Sequence, residues 1–510
     1  MSIIIQILVI LVVVLYTAAL MFILFFSITQ GNLVFRYLFQ GKKYKAAQQP
    51  LKQFVSLPWV TVQLPVYNEK YVVERLIDCV ANLDYPAGKL EIQVLDDSTD
   101  ETVSIIADKV AQLKGIVNIK HIHRTNRAGF KAGALKEGLA KASGELIAIF
   151  DADFLPGKDF LQNTVPQFID AQVGMVQTKW AWLNKNYSFI TRVQAFALDA
   201  HFSIEQVGRN VGNGFINFNG TAGVWRKSCI IDAGNWQADT LTEDLDLSYR
   251  AQLKEWKFVY LEEVNSPSEL PPVMSAVKTQ QYRWNKGGAE TARKHLRKVI
   301  RSGKPFQVKW HGVMHLLTSG VFLSALTCAV LSVPMLLIRH FYPAYAPLFT
   351  IANYCFVSFL ILGVMYLVAV SMQYKSRWKG VMVFFQTMPV FLSLSMGLSL
   401  HNALAVLEGY FGRRTPFERT PKFNVINQKD KWSANQYLKK GVNKLTIAEA
   451  GLMIYFALGI FLAFQLKDFT LLPFHILLVT GYGAVVYYTL FQHTVKPLHK
   501  KSLATSSQAA

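Results

Sequence analysis

Two parts of this 510-residue chain carry little that water would solvate, and they lie towards its two ends. From Ile3 to Phe35 there is no charged side chain, and from residue 311 onward apolar runs recur. Each run reaches about 20 residues, the length a helix needs to cross the hydrocarbon of a bilayer. Lipid offers no partner for an unpaired backbone N–H or C=O, so such runs are confined to helices. Between them, residues 58–300 are dotted with carboxylates and constitute a soluble domain inserted between spans.

The N-terminal run has no basic leading segment, and Arg36, Lys42, Lys43 and Lys45 follow it. A cleaved signal would begin basic and have a shorter apolar core. Residues 1–35 are therefore expected to remain as an anchor whose C-terminal side faces the cytoplasm. Two further pairs of spans fall within 311–374 (312–338 and 347–372) and within 446–495 (447–466 and 471–491). The run 381–407 is long enough to be another. Lys375, Arg377 and Lys379 precede it, however, and Arg413, Arg414, Arg419 and Lys422 follow it. Crossing would strand one basic flank outside, and Gln386, Thr387, Pro389, His401 and Asn402 suit lipid poorly. Residues 379–445 are expected to form an interfacial or re-entrant helix and a loop. Five crossings then leave the soluble domain, that loop and the tail 496–510 on the cytoplasmic side, the tail being polar and disordered.

Of the chain's residues 52% are apolar, and its net charge is +20. The positive flanks of the spans, facing anionic headgroups, account for that charge. No recognition-helix or zinc-finger pattern points to nucleic acid. Four cysteines without CxxC spacing indicate neither a disulfide framework nor a zinc site.

From Pro58 strands alternate with helices. Trp59–Leu64, Glu91–Leu95, Val117–His121 and Leu146–Phe150 have strand character, with helices to about Asn82, after Asp97 and from Ala132 to Ala142. This is the pattern of an α/β domain with a mostly parallel sheet. Ligands of such sheets sit beyond the carboxyl ends of the strands, and Asp96-Asp97 and Asp151-Ala152-Asp153 fall at those ends. The segment 187–207 fits a helix lying either on the membrane surface or against the sheet. Gly212–Gly223 is a Gly/Asn-rich loop where backbone approaches something closely. Thr242 is placed to cap a helix from Glu243 to Lys254, with Asp244 in its first turn. A basic helix (Lys286, Arg293, Lys294, Arg297, Lys298, Arg301) follows Trp284 and is expected to ride on headgroups.

The polar residues at these places make a consistent set. Asp151 and Asp153 offer hard oxygen ligands to Mg2+ or Mn2+ bridging a nucleotide diphosphate. Asp244 is placed to take a proton from an acceptor hydroxyl. Lys131 and Arg283 bring positive charge to a departing diphosphate, and Asp97 and Tyr67 offer hydrogen bonding and stacking to a base and ribose. Gln280, Arg283 and Trp284 combine an amide, a guanidinium fork and a ring that can lie against a sugar.

In order, Asp96-Asp97, Asp151-x-Asp153, Thr242-Glu243-Asp244 and Gln280-x-x-Arg283-Trp284 resemble the processive family 2 glycosyltransferases, such as cellulose, chitin and hyaluronan synthases. Phe218–Arg226, Thr242–Leu247, Trp256–Leu261 and Glu269-Leu270-Pro271 are similar to the cellulose-synthase-like mannan and glucan synthases. The resemblance covers residues 58–300 strongly and the apolar part more loosely. It implies a GT-A nucleotide-sugar domain and inversion at the anomeric carbon. By the same resemblance Asp151 and Asp153 would hold the metal, Tyr67, Glu69, Asp97 and Lys131 would line the nucleotide, and Gln280 and Arg283 would hold the diphosphate. Asp244 would be the base, and Trp284 with Asn219, Gly220 and Thr221 would meet the acceptor. Phe417-x-x-Thr420-Pro421-Lys422 resembles the gating loop of cellulose synthases, although Arg419 stands where those tend to have Val. No C-terminal segment of a size to bind a cyclic dinucleotide is expected.

The resulting expectation is a membrane-embedded β-glycosyltransferase of plasma, inner or Golgi-type membranes, with its catalytic domain cytoplasmic. It would polymerise a sugar and pass the polysaccharide through its own spans. UDP-glucose giving a β-1,4-glucan is the first choice and GDP-mannose giving a β-1,4-mannan the alternative. A ceramide-type glucosyltransferase would share most acidic motifs but need neither gate nor pore. A transporter with a nucleotide-binding domain would need charged residues along a path, and the spans offer only Glu449. Nothing in the sequence specifies an accessory subunit.

Overall fold

The computed structural model describes residues 3–47, 54–345, 355–427, 429–430, 432, 435–437 and 443–491. The expected tail 496–510 and the start of the 347–372 span lie outside the described residues. The soluble domain is built on a seven-stranded sheet of order β3-β2-β1-β4-β6-β5-β7. Strands β1 (Val60–Val66), β2 (Leu90–Asp96), β3 (Ile119–His123) and β4 (Leu146–Ile149) are parallel, as the alternation predicts. β3 begins two residues later than expected, which puts His123 opposite Asp96. Three strands were not read from the sequence: β5 (Val173–Trp182), β6 (Gly223–Arg226) and β7 (Lys257–Ser268). β6 runs antiparallel between β4 and β5, and β7 is parallel to β5.

Successive strand residues point to opposite faces, and both faces here are covered. Val60, Val62, Leu64, Leu146 and Ala148 pack on one side with the helix Val73–Ala81 and with Ile106. Ile147, Ile149, Met175 and Trp225 pack on the other, with Leu135 and Leu139 of the helix Phe130–Lys141 and with Leu247 and Ala251. Side chains such as Ile147, fully buried, contribute about 1.5–3 kcal/mol each.

That second core does not stop at the domain. It takes in Val34 and Tyr37 of the N-terminal helix and Met365 and Ala369 of the apolar helix Val357–Ser371. The helix Phe189–Ala200 bridges the two parts: Phe202, just beyond it, stacks on Trp180, while Phe196 stacks on Tyr366 at 5.1 Å. The segment 187–207 thus has one end facing the sheet and one flank facing apolar helices.

Among the described residues five helices are long and apolar enough to cross a membrane: Ile3–Tyr44, Gly320–Phe341, Arg377–Gly397, Lys444–Gln465 and Leu472–Leu490; Val357–Ser371 is shorter. The expected span 312–338 is two helices, Phe306–Leu316 and Gly320–Phe341. The 381–407 run likewise divides, into Arg377–Gly397 and Ser399–Phe411. Gln280 to Trp284 and the basic stretch after it belong to one continuous 28-residue helix, Met274–Arg301. Lys286 does not face headgroups: it is fully buried and bonds Thr415 at 2.7 Å and Glu408 at 3.4 Å.

Candidate active site

Two adjoining cavities open at the carboxyl ends of the strands, and Lys131, Asp151, Arg283, Phe417 and Lys422 belong to both. The first is reached from β1, β2 and β4 and takes in Tyr67, Glu69, Asp97, Arg127, Arg419 and Thr420. The second lies towards β5 and takes in Asp153, Trp180, Trp182, Asn219, Gly220, Glu243, Asp244, Gln280 and Trp284. Of the residues given a site role from the sequence, Thr221 is on neither wall. It is fully buried, and its hydroxyl accepts the backbone N–H of Asp151 at 2.8 Å, so it seats the acidic turn from behind.

In the first cavity every carboxylate is matched by a cation. Arg124 forks onto Asp97 at 2.6 and 2.5 Å. The Arg127 guanidinium lies 3.3 Å from the centre of the Tyr67 ring, a cation–π contact. Arg419 pairs with Glu69 at 2.8 Å; burial nevertheless pushes the Glu69 carboxyl up to about 7. The departure at Arg419 is thus a built contact.

At the junction Lys131 reaches Asp151 at 2.5 Å and the Gly220 carbonyl at 2.9 Å, and Lys422 reaches Asp153 at 2.8 Å. Burial alone would lower both lysines, but the carboxylates beside them hold their pKa values above the ordinary one. Asp151 and Asp153 therefore present concentrated negative charge through hard oxygens, a donor set that fits Mg2+ or Mn2+. The lysines neutralise the same oxygens that such a cation would engage.

Asp244 stands in the first turn of the helix Glu243–Leu253. Thr242 does not cap that helix through its side chain; its hydroxyl bonds Thr291 at 3.1 Å. The helix is fixed by Asp246 instead, held well below the usual carboxylate range, despite burial, by His295, Arg250 and Lys294 at 2.7–2.8 Å. Two of those partners lie on Met274–Arg301, so the Asp244 turn and the Arg283 turn are locked together. Burial raises the pKa of both Glu243 and Asp244, and for Asp244 the Glu243 charge adds to the effect. Gly220 has φ +81°, and a Cβ there would sit 3.0 Å from an Asp244 oxygen. Both backbone and space thus require glycine.

The loop after Phe411 brings Phe417, Thr420 and Lys422 to the walls of the cavities. Thr420 accepts from Arg283 at 2.9 Å, and Arg283 sits over the Phe417 ring at 4.7 Å. Glu269, pushed up to about 7 by burial with Asp153 adding to it, accepts the Phe423 N–H at 3.0 Å.

Sequence reasoning missed Arg124, Arg127, Trp180 and Trp182, and gave Asp246 and Glu269 no role although both stand in stretches that carry the resemblance. For the tryptophans a signal existed: W-x-W on a strand puts both indoles on one face.

A mixed, mostly parallel α/β sheet with paired carboxylates at its strand ends is the architecture of a GT-A nucleotide-sugar-binding domain. Residues 58–287 match the family described as Glycosyltransferase like family 2, and this stretch is a family 2 glycosyltransferase domain. Over 262 residues the chain is 42% identical to glucomannan 4-beta-mannosyltransferase 1 of Cyamopsis tetragonoloba, covering 50% of each chain. It is 44% identical over 257 residues to glucomannan 4-beta-mannosyltransferase 1 of Oryza sativa subsp. japonica, covering 49% of each. The chain spans about half the length of the curated relatives it matches. The fold is shared with a mannosyltransferase from Pyrobaculum calidifontis, solved in complex with GDP-Man and Mn2+. That match has a TM-score of 0.51 and 19% identity and covers 79% of this chain and 100% of the other.

Proposed function

We propose that this chain is a membrane-embedded, inverting β-mannosyltransferase that transfers mannose from GDP-mannose into a β-1,4-linked polysaccharide. The observation that carries the choice of sugar is the 42–44% identity to glucomannan 4-beta-mannosyltransferases over about half of the chain. It favours the mannosyl alternative over UDP-glucose, the first choice from sequence.

In this reading the first cavity takes the nucleotide. Tyr67, backed by Arg127, stacks on the base, Asp97 and Glu69 accept hydrogen bonds from the nucleoside, and Lys131 and Arg283 face the diphosphate. Asp151 and Asp153 hold the divalent cation. When bound, that cation supplies positive charge to the leaving diphosphate. The acceptor chain enters the second cavity, its terminal sugar against Trp284 and the Trp180–Trp182 face. Asp244 takes the proton of the attacking hydroxyl; the new C–O bond forms as the anomeric carbon–phosphate oxygen bond breaks, with inversion, and GDP departs. Arg283 offsets the charge on the leaving group. Phe417, Thr420 and Lys422 close over the donor.

For the membrane part we infer five crossings, with Arg377–Gly397 lying in the interface despite its apolar character. Two contacts support this. Gln373, just before that helix, bonds Lys185 of the domain at 2.6 Å, and His401, just after it, bonds the Lys278 carbonyl at 2.9 Å. A helix with both ends against the soluble domain does not traverse a bilayer. The domain and the gating loop then share the cytoplasmic side.

The test is transfer from labelled GDP-mannose, UDP-glucose and UDP-N-acetylglucosamine with Mg2+ or Mn2+, in membranes carrying the wild type or Asp244→Asn. Insoluble label from GDP-mannose, released by an endo-β-1,4-mannanase and absent from the variant, is the expected result. Insoluble label from UDP-glucose alone would overturn the sugar. Label confined to the organic phase would overturn the polymer.

A further inference from the structure

The edge of the sheet carries a cluster that the transfer reaction does not use. His121 and His123 alternate on β3 and so project from one face of the strand, and the register sets His123 directly opposite Asp96 of β2. The shared face brings both imidazoles onto one carboxylate oxygen: His121 Nε2 lies 2.8 Å and His123 Nδ1 3.2 Å from Asp96 Oδ2. All three donor atoms fall within 4.8 Å of one another.

We propose that Asp96, His121 and His123 form a second divalent-cation site, of the zinc class, separate from the Asp151–Asp153 pair. Four ligands at the usual Zn–N and Zn–O lengths define a tetrahedron with edges of about 3.3 Å. The two measured separations lie close to that edge, so small side-chain rotations open the cluster around an ion. Two imidazoles and one carboxylate leave the fourth position to water, and imidazole nitrogen selects Zn2+ over Mg2+. The supporting shell is in place: Asp96 Oδ1 accepts the Ser98 N–H at 2.8 Å, and the Ser98 hydroxyl accepts the Asn68 N–H at 2.8 Å. Asp96 is fully buried, while the His121 and His123 side chains are 17% and 35% exposed, so the cluster has a floor and an entrance. Arg124, next in the chain, donates its N–H to the Asp96 carbonyl and forks onto Asp97. The site therefore stands directly behind the carboxylate assigned to the nucleoside.

The test is zinc binding by the full-length protein in detergent, by isothermal titration with excess Mg2+ present to occupy hard-oxygen sites. The wild type and an Asp151→Asn/Asp153→Asn variant are expected to bind one equivalent of Zn2+. A His121→Gln/His123→Gln variant is expected to lose at least tenfold in affinity. The single variant His123→Gln, at the half-exposed end of an edge strand, gives the same direction should the double variant fold poorly. Absence of stoichiometric zinc in the wild type, equal binding by the histidine variants, or loss of zinc in the aspartate variant instead would each overturn the proposal.

Discussion

The two cavities meet at Lys131, Asp151 and Arg283 but are built on different principles. The one at β1–β4 is electrostatic: Asp97 with Arg124, Glu69 with Arg419 and Tyr67 under Arg127 present paired charges that a nucleotide can exchange for its own. The one at β5 is charged as well, with Asp153, Glu243, Asp244 and Glu269 on its walls, but adds three indoles, Trp180, Trp182 and Trp284. Charged contacts reward one ligand with fixed donors and acceptors. Flat rings accept successive sugars that differ only in position along a chain. On the proposed function, the first cavity would discriminate the donor and the second would let a sugar chain slide.

Substitutions can test that division through separate effects on donor and acceptor. The largest effect is expected at the junction. Asp244→Asn should lower kcat by about 10³-fold, within the usual range for a lost general base, with donor KM nearly unchanged. Arg283→Ala should cost about 10²-fold in kcat, because it removes charge stabilisation at the leaving group. Next comes pH. Since the base must be deprotonated and its pKa is raised by burial and by Glu243, activity should fall about tenfold per unit as pH drops below that raised value. The acid limb should therefore sit above the ordinary carboxylate range, and a pH–rate profile of wild-type kcat checks it. Trp182→Ala should raise the KM of an oligosaccharide acceptor about tenfold and leave that of the donor alone. Arg127→Ala should do the converse, raising donor KM about three- to fivefold, the scale of one exposed cation–π contact. Equal shifts of both constants in either tryptophan or arginine variant would break the division.

The first cavity was also the more legible one in the sequence. β2 ends on Asp96 and β4 runs through Phe150 into Asp151, so strand pattern and acidic motif fall at the same point. β5–β7 gave less. β6 is four residues long and continues a Gly-rich loop, and β7 carries Glu262, Glu263 and Asn265 among its apolar residues. The roles of Trp180 and Trp182 depend on pairing with strands far away in sequence, which periodicity alone does not report. Thr242 shows the same limit from another side. Its type and position fit a cap, but a partner 49 residues on, Thr291, takes the hydroxyl. At Lys286 the basic pattern of the stretch implied exposure, whereas Glu408 and Thr415, on segments over a hundred residues away, draw it inside.

The helix Met274–Arg301 has a mechanical meaning. At 28 residues it is about 42 Å long. Near one end Lys278 pairs with Glu449 of the apolar helix Lys444–Gln465 at 2.7 Å, and farther along His295 grips Asp246 at 2.7 Å. Arg283 and Trp284 ride on the same shaft between these two clamps. A tilt of the 444–465 helix would therefore bear on the helix that carries Arg283 and Trp284. On the proposed function, chain extrusion and bond formation would then share that helix as a common part.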